Sequence, residues 1–426
     1  MSLLPIEEAF RIIAETTPLL PVEQVPPREA LGRVLAEPVV APIDLPPFEN
    51  SAVDGYAVRS RDLTALPTHA SETGPTVRLR VRGEVPAGGA PTGSITSGET
   101  ARVMTGGRIP AGADAVVMRE DVEEAPDVAR VRRAVEPGAN VRPRGEEIRG
   151  GEVALEAGRR VNPGGLGFLL ALGVERVAVR RRPRVAILAT GNELVAEGAP
   201  LRPGAVRDSS TPTLATLVES AGAVAVPLPI APDDRALLAE RVREGLSHDV
   251  LVTTGGVSVG DYDFVKEVLA EQGVKIRFWK VAIKPGKPFV YGIRGDTRAF
   301  GLPGNPGSSL ATFERFVRPA LRKMAGDPSW APAEAEAVLD ARCGNAGDRT
   351  WFLRAALSWR DGALHARPLA GQGSGTLRSA GEANGFIVLP PGAINREAGA
   401  RVTVQILPAI YGEVWNSPFV MKGDAR

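Results

Sequence analysis

Cysteine and histidine are scarce in this sequence. A single cysteine, Cys343, excludes an intramolecular disulfide and any cluster of cysteines around zinc. The three histidines, His69, His248 and His365, lie far apart along the chain and show no metal-ligand spacing. A functional metal ion would therefore need carboxylate oxygens as ligands, and a serine or cysteine nucleophile would lack a nearby histidine partner.

Net charge and long apolar runs are also nearly absent. The 51 basic and 50 acidic residues almost cancel, which argues against nucleic acid or an anionic membrane as a partner. No window reaches the roughly 18 apolar residues of a membrane-spanning helix. The first residues, MSLLPIEEAFRII, lack the basic segment of a secretory signal, so we expect a cytoplasmic protein.

Glycine and proline, in contrast, are abundant. With 48 glycines and 37 prolines, they make up 85 of the 426 residues, well above their usual combined share of about 12%. This favours short strands and tight turns. Residues 1–40 and 140–182 carry the helical patterns IEEAFRIIAETTPLL, PREALGRVLAEPV and GGLGFLLALGV, and we expect them to pack together as a discontinuous helical domain. Between them, residues 41–139 alternate in runs such as VRLRVRGEV and predict a mostly β insertion.

Residues 183–326 alternate between short apolar runs and amphipathic segments. RVAILAT, AVAVPLPI, DVLVTTGG and RAFGLPG are typical of buried strands, whereas SSTPTLATLVESAG, DDRALLAERVREGL, DFVKEVLAEQG and SSLATFERFVRPALRKMAG are typical of helices. This order predicts an α/β domain with a mostly parallel sheet covered on both faces. Residues 327–412 return to short strands and predict a small β domain. The expected fold class is thus α/β plus β, in several domains.

Unusual polar residues follow the predicted strands of the α/β domain. GNEL, VSVGDYD, KPGKP and NPGSS each come after a strand, and ligands bind at the carboxyl ends of parallel strands. Each loop alone is more often a turn or a helix cap, but four loops at one edge favour a binding site. The side chains expected to face one crevice are those of Glu193, Asp261, Asp263, Lys284, Lys287, Asn305 and Ser308.

The composition of these loops narrows the class of ligand. GGVSVGDY has Asp261 where a phosphate-binding P-loop requires lysine, and GLPGNPG does not match the GxGxxG dinucleotide motif. Backbone N–H groups at glycine turns suit phosphate or another oxyanion. Two lysines add positive charge, and carboxylates without histidine suit Mg²⁺. The expected ligand carries several phosphates whose charge is shared between lysines and a metal ion.

The predicted β insertion contains one further polar turn. FENSAVDGYA places Asn50, Ser51, Asp54 and Tyr56 after the rigid segment PIDLPP, and Asp54 is the functional candidate among them. RVMTGGRIPAGADAVV and VRPRGEEIRGG supply other glycine-rich turns, the second with Glu147. GADAVV is interpreted as a hairpin.

Taken together, these segments resemble one family, molybdopterin molybdenumtransferase, which includes the E domain of gephyrin. The resemblance rests on PPFENSAVDGYAV, RVMTGGRIPAGADAVV, NVRPRGEEI, ATGNEL, TTGGVSVGDYD, KVAIKPGKPF and GLPGNPGSS, in this order. It implies four domains and a homodimer whose site is shared between subunits. It also implies that adenylylated molybdopterin and molybdate react with Mg²⁺, that the phosphoanhydride is split, and that molybdenum cofactor and AMP are released. A molybdopterin-adenylylating protein is an implied partner.

The same resemblance implies roles for individual residues. The implied catalytic residues are Asp54, Glu193, Asp263, Lys284 and Lys287, with both lysines binding molybdate or the adenylylated terminal phosphate. The implied Mg²⁺ ligands are Glu193, Asp263 and either Asp234 or its neighbour Asp233. The implied substrate-binding residues are Gly255, Gly256, Ser258, Gly260, Asp261, Pro288, Pro303, Gly304, Asn305, Ser308, Arg354 and Ser379. The chain departs from the family at Glu147 and Asn192, where the family often has aspartate.

Two other functions remain open from the sequence. Adenylyl transfer onto molybdopterin is performed by the smaller relatives of the third domain, but the three additional domains and Asp54 argue against it. A non-catalytic peptide-binding scaffold, as in gephyrin, would not need the acidic residues and lysines that this chain keeps.

Overall fold

The computed structural model describes residues 3–70, 73–91, 93–257 and 264–412. Among these residues, none of the helices has the length and apolar character needed to cross a lipid bilayer. Up to residue 182 the helices are α1 (Ile6–Thr16) and α2 (Pro163–Ala171), and the strands are β1 (Val22–Val25), β2 (Val39–Val40), β3 (Asn50–Ser51), β4 (Gly55–Val58), β5 (Val77–Val85), β6 (Glu99–Val103), β7 (Ala115–Met118), β8 (Val122–Ala125), β9 (Val128–Val131), β10 (Val141–Arg142), β11 (Val153–Leu155) and β12 (Val177–Arg180).

Short antiparallel strand pairs join the two chain segments on either side of the insertion. β1 pairs with β12, β2 with β11, and β3 with β10. Within the insertion, six strands form one sheet in the order β7-β4-β6-β5-β9-β8 around a small apolar core that includes Tyr56, Leu79 and Val117. The mostly β insertion is therefore confirmed, and strand pairs together with α2 hold the discontinuous domain together.

The next part of the chain forms the central α/β domain. The elements are β13 (Arg184–Ala189), β14 (Leu194–Val195), β15 (Val206–Arg207), α3 (Ser210–Ser220), β16 (Val224–Pro227), α4 (Arg235–Gly245), β17 (Val250–Thr254), α5 (Val265–Glu271), β18 (Lys275–Trp279), β19 (Ile283–Lys284), β20 (Val290–Arg294), β21 (Thr297–Leu302), α6 (Pro306–Thr312) and α7 (Arg318–Met324). The sheet has the order β16-β13-β17-β21-β20-β18, in which β20 alone runs opposite to the other five strands, so the expected mostly parallel sheet is confirmed.

Alternate residues of the central strands enter two separate cores. Along β13, Val185 and Ile187 pack into the core that contains α3, α6 and α7, whereas Ala186 and Leu188 pack into the core that contains α4 and α5. This follows from the two-residue period of a strand, which sends successive side chains to opposite faces. Both faces of the sheet are therefore covered, and its carboxyl edge stays open to a ligand.

α1 belongs to the core of the central domain. Ile6, Ala9 and Ile13 are buried together with residues of the central sheet, and Arg298 of β21 donates from Nε to the Thr16 carbonyl at 2.7 Å. The expected packing of this helix with α2 is wrong, because α2 packs against β1, β12 and the residues near them. The helix expected for PREALGRVLAEPV is also wrong, because the structure has only a 3₁₀ turn there, at Pro27–Ala30.

α6 and α7 belong to one helical run, predicted as a single helix, which a π-helical segment at Phe313–Val317 interrupts. The Arg318 N–H donates to the Phe313 carbonyl, five residues back. Pro319 follows and has no N–H, so it cannot make the regular four-residue bond. The widened turn places Glu314 in the interior, where Arg318 and Tyr411 bind its carboxylate.

The C-terminal domain is a small closed barrel. Its elements are β22 (Ala333–Leu339), β23 (Thr350–Arg360), β24 (Ala363–Pro368), α8 (Arg378–Glu382), β25 (Gly385–Leu389) and β26 (Arg401–Ile406). The order β23-β24-β22-β26-β25 closes because β25 also pairs with β23. β19 of the central domain adds to β23 in parallel, with Lys284 opposite Trp351. The barrel is thus tied to the KPGKP loop.

Ile13→Ala tests the packing of α1, because this side chain is 2% exposed in the central core. We expect the free energy of unfolding to fall by about 2–5 kcal/mol, the usual range for such a truncation. Leu19→Ala, at a 54% exposed position nearby, is the control and should stay within about 0.5 kcal/mol of the native protein. Chemical denaturation measures both, and equal stabilities would place α1 outside the core.

Candidate functional site

A cleft of about 700 Å³ opens at the carboxyl ends of β13, β17 and β21. The loops after these strands form most of its wall, and Gly375 and Leu377 of the C-terminal domain complete it. The convergence of strand-end loops that the sequence predicted is therefore observed. The expected site residues that line the cleft are Glu193, Gly255, Gly256, Pro288, Pro303, Gly304 and Asn305.

Glycine is required where these loops meet. Gly255 has a φ of +93° and Gly256 a φ of +63°, a backbone region that side chains rarely adopt. A Cβ on Gly255 would lie 2.6 Å from the Thr190 carbonyl oxygen, and one on Gly304 would lie 3.3 Å from the Gly255 Cα. The Gly255 N–H donates to the Leu302 carbonyl at 3.2 Å. The loops can approach this closely only because they lack side chains here.

Among the described residues, two carboxylates, Glu193 and Asp233, line the cleft. The Glu193 carboxylate lies against Gly191, where a Cβ would come within 2.5 Å of Glu193 Oε2. The Asn192 N–H donates to Asp233 Oδ2 at 3.2 Å, and the Asp233 N–H donates to Asn192 Oδ1 at 3.1 Å. Asp234, in contrast, uses its carboxylate to cap the first turn of α4. Of the two aspartates considered from the sequence, Asp233 is the one brought to the cleft.

The start of α3 contributes cleft residues that were not expected from the sequence. Arg207, Ser209 and Ser210 line the cleft. Asp208 Oδ1 caps the helix by accepting the N–H groups of Ser210 and Thr211, each at 3.0 Å. These residues could have been found from the sequence, because Ser209 and Ser210 begin a predicted helix at the edge of the sheet where ligands bind.

Arg354 and Ser379, expected to bind substrate, lie behind the wall of the cleft. Arg354 is 1% exposed, and its Nη2 donates to the carbonyls of Gly371 at 3.0 Å and Gly373 at 2.8 Å. Ser379 Oγ donates to the same Gly371 carbonyl at 2.7 Å. Burial lowers the pKa of the Arg354 guanidinium. These contacts hold the loop whose Gly375 reaches the cleft.

The KPGKP loop lies between the cleft and the barrel. Lys284 Nζ is 3.7 Å from the centre of the Trp351 ring, a cation–π contact. Gly286, with a φ of +113°, packs so closely on α6 that a Cβ would lie 2.5 Å from a side-chain methyl group of that helix. Lys287 is exposed. In the described part of the wall, the adjoining Pro288 lines the cleft and the two lysines do not.

Asp54, the functional candidate of the insertion, is exposed at the start of β4. Its Oδ1 accepts hydrogen bonds from the N–H of Thr105 at 2.7 Å and from the Thr105 hydroxyl at 2.8 Å. These bonds, with smaller contributions from the charges of Arg119 and Arg102, hold the pKa of Asp54 below its usual range. A Cβ on Gly55 would lie 2.0 Å from a carbonyl oxygen of β7. Asp54 is thus a fixed, ionised carboxylate, and it is not among the described residues that line the cleft.

Comparison with known proteins identifies the family. Residues 4–173 match the MoeA N-terminal region (domain I and II), residues 186–323 a probable molybdopterin binding domain, and residues 336–407 the MoeA C-terminal region (domain IV). The chain is 35% identical over 389 residues to molybdopterin molybdenumtransferase of Haemophilus influenzae, which covers 90% of this chain and 94% of the relative. The chain belongs to the molybdopterin molybdenumtransferase family.

Other relatives support the same assignment. The chain is 34% identical over 417 residues to molybdopterin molybdenumtransferase of Bacillus subtilis, covering 97% of this chain and 96% of the relative. A crystal structure of the molybdopterin biosynthesis moeA protein from Pyrococcus horikoshii OT3 superimposes with a TM-score of 0.78 at 32% identity, covering 95% and 100% of the two chains. The expected family and fold class are confirmed, and the chain is a transferase of molybdenum cofactor biosynthesis.

Some expected site residues of this molybdopterin molybdenumtransferase family member are not part of the structural description. Ser258, Gly260, Asp261 and Asp263 lie outside the described residues. Within the described ranges, no three His, Cys, Asp or Glu side chains gather closely enough to hold a metal ion. Glu147 is exposed in the segment between β10 and β11.

Gly255→Ala tests the requirement for glycine at the cleft. The added Cβ meets the Thr190 carbonyl and also imposes a strained φ, whereas Gly273→Ala imposes a similar φ with nothing within 4 Å. We expect Gly273→Ala to cost about 1 kcal/mol of stability and Gly255→Ala about 2–3 kcal/mol or more. Turnover should be lost only in Gly255→Ala. Denaturation measures the stability of both variants and an activity assay measures their turnover. Equal values for the two variants would show that glycine is not required at position 255.

Proposed function

We propose that this chain inserts molybdate into adenylylated molybdopterin with Mg²⁺, so that the phosphoanhydride is split and AMP and molybdenum cofactor are released. The observation that carries the proposal is the convergence of glycine turns, two carboxylates and the KPGKP loop at one edge of the central sheet. We also propose a cytoplasmic location and receipt of the adenylylated substrate from a molybdopterin-adenylylating protein.

The cleft suits a large, phosphate-bearing substrate. Its volume of about 700 Å³ lies within the range of about 300–1,000 Å³ typical of small-molecule sites. The turn at Gly255 and Gly256 has no side chains, so a phosphate can approach the backbone closely, and Ser209 and Ser210 at the start of α3 line the same space. The Gly255 N–H is already bonded to the Leu302 carbonyl and the Ser210 N–H to Asp208, so the serine hydroxyls are the proposed donors to phosphate oxygens.

The donors at the cleft fit Mg²⁺. Glu193 and Asp233 are oxygen ligands that both line it, and Mg²⁺ in nucleotide sites is held by one or two carboxylates together with substrate phosphates and water. A full protein cage is therefore not needed. Glu193 and Asp233 would hold the ion, with Asp263 as a further ligand implied by the family resemblance. When bound, Mg²⁺ neutralises charge on the phosphates of the substrate.

The oxyanion subsite for molybdate is proposed beside the cleft, where α6 meets the barrel. Arg354 is buried there, and its Nε and Nη1 have no hydrogen-bond partner among the described residues. Its Nη1 faces Gly307, the residue before Ser308 in α6. Because burial lowers the pKa of Arg354, a neighbouring anion would favour its charged form. The proposed binding residues are Lys284, Lys287, Ser308, Arg354 and Ser379.

The position of Asp54 supports a site shared between two subunits. The described wall of the cleft contains residues of the central domain and barrel, and the insertion contributes none of them. Asp54 is nevertheless exposed and fixed by Thr105, as a group that acts on an incoming molecule would be. In a two-fold dimer, the Asp54 of each chain would lie at the cleft of the other chain, which gives two equivalent sites.

An activity assay with adenylylated molybdopterin, molybdate and Mg²⁺ tests the reaction. AMP and molybdenum cofactor should form together, stop in EDTA and resume when Mg²⁺ is restored. Glu193→Gln should reduce turnover by about ten- to a hundredfold, because a charged contact is lost. Glu197→Gln, four residues away on the other side of β14 and outside the cleft, is the matched control and should keep native turnover. ATP consumption with molybdopterin, peptide binding without turnover, or zinc-dependent turnover in EDTA would each contradict the proposal.

Mixing Asp54→Ala chains with Lys287→Ala chains tests the shared site. Each variant alone should be strongly impaired. Their mixture should recover about a quarter of native activity, since half of randomly formed dimers then carry one intact site of two. Light scattering should give about twice the chain mass of 44.8 kDa. A fully active monomer, or mixed dimers without recovery, would place both groups in one chain.

A further inference from the structure

A second cavity, of about 450 Å³, lies between the N-terminal segments and the central domain. Among the described residues of its wall, two are carboxylates, Glu219 and Asp327. Arginines are far more numerous, and this cavity is called the arginine pocket below. The arginines that line it are Arg33, Arg160, Arg180, Arg182, Arg318 and Arg322.

The arginine pocket is separate from the cleft, and α3 runs between them. Ser209 and Ser210 at the start of α3 line the cleft, whereas residues 219–222 at its end line the arginine pocket. The 11 residues of α3 span about 16 Å at about 1.5 Å per residue. Arg182 precedes β13, so the pocket lies at the amino edge of the sheet and the cleft lies at the carboxyl edge.

Carboxylates offset three of the arginines. Asp327, 4% exposed, accepts hydrogen bonds from Arg160 Nη2 at 2.5 Å and from Arg322 Nε at 2.6 Å. Glu314, behind the wall, binds Arg318 through Nε at 2.6 Å and Nη2 at 2.8 Å. These pairs hold the guanidinium groups in place, so that part of the wall is already ordered before any ligand arrives.

A fourth arginine, Arg33, is also paired, so the excess positive charge comes from Arg180 and Arg182. Arg33 pairs with Glu23, yet its side chain is only 10% exposed and its Nε has no partner among the described residues. Arg180 donates from Nη1 to the Leu20 carbonyl at 3.0 Å. In the described structure, neither Arg180 nor the exposed Arg182 has a carboxylate within ion-pair distance. Unpaired like charges around one cavity repel each other and lower stability until an anion enters.

Helix ends explain only part of this arrangement. α3 and α7 both end beside the pocket, and the carbonyls of each helix C-terminus carry roughly half a negative charge. With the four carboxylates of Glu23, Glu219, Glu314 and Asp327, the two helix ends supply about five negative charges against six guanidinium groups, so about one positive charge is left. Arginines that only capped helices would also not need to surround a cavity of this size.

We propose that the arginine pocket binds a diphosphate group, either free or carried by a nucleoside. Guanidinium groups bind phosphate oxygens in a planar, bidentate geometry, which an ammonium group cannot reproduce. The arginines come from the N-terminal segments and from α7, so they surround the ligand from two domains. A ligand with several negative charges would join these domains by neutralising charge from both, at a site where no part of the proposed reaction takes place.

Isothermal titration calorimetry of the full-length protein in EDTA tests the proposal with inorganic pyrophosphate, orthophosphate and ADP. Pyrophosphate should bind more tightly than orthophosphate. Arg182→Gln should weaken pyrophosphate binding by about ten- to a hundredfold, because a charge-assisted contact is lost. Arg184→Gln is the matched control: it removes the same charge two residues away, outside the pocket, and should leave the affinity unchanged. If Arg182→Gln also weakens ADP binding and Arg184→Gln does not, the diphosphate can be carried by a nucleoside.

Thermal unfolding separates ligand binding from packing. Without ligand, Arg182→Gln should unfold at the native temperature or above it, because like-charge repulsion is reduced. It should also lose the increase in unfolding temperature that pyrophosphate gives the native protein. Unchanged pyrophosphate affinity with a lowered unfolding temperature would assign Arg182 to packing and overturn the proposal. Equal losses of pyrophosphate affinity in Arg182→Gln and Arg184→Gln would mean that pyrophosphate is attracted by the general positive charge of the protein. That result would also overturn the proposal.

Discussion

The buried guanidinium of Arg354 supports the loop by which the C-terminal barrel meets the start of α6. A cation that is 1% exposed needs acceptors close by, and the carbonyls of Gly371 and Gly373 supply them. Gly307 at the start of α6 has to stay small, because a Cβ there would lie 2.2 Å from Arg354 Nη1. The wall of the cleft contains loops from both domains. Arg354 therefore helps to set the shape of the part of the wall that the barrel supplies.

The α/β domain could be predicted from the sequence because its signals are local. Short apolar runs alternate with amphipathic segments, and the structure turns them into strands and helices in the same order. Parallel strands bring their carboxyl ends to one edge, so residues as far apart as Gly255 and Asn305 could be placed together without knowing any contact. The family resemblance added the assignment of a reaction. The β character of the insertion and of the C-terminal domain followed from alternation and turn residues alone, whereas the closure of the barrel by β25 and β23 did not.

Long-range partners could not be predicted in the same way. The spacing of Ile6 and Ile13 reveals an apolar face on α1, but it does not reveal which core receives that face. Asp233 and Asp234 look equivalent until the helix start is known, and then one becomes the cap and the other lines the cleft. Residues 371–377 contain no recognisable motif, yet they reach the cleft because Arg354 holds them there. Such outcomes depend on packing between segments that are distant in the chain.

α3 runs between the two proposed anion-binding regions of the central domain. Its N-terminal end lies at the cleft, where Asp208 already accepts the N–H groups of Ser210 and Thr211 and offsets part of the helix dipole. Its C-terminal end lies at the arginine pocket, where the partial negative charge opposes an anion. The proposed phosphate recognition at the first end therefore relies on serines, with two lysines nearby. At the second end, arginines must first offset the helix carbonyls and carboxylates before any charge remains for a ligand. The larger number of arginines at the amino edge of the sheet follows from this difference.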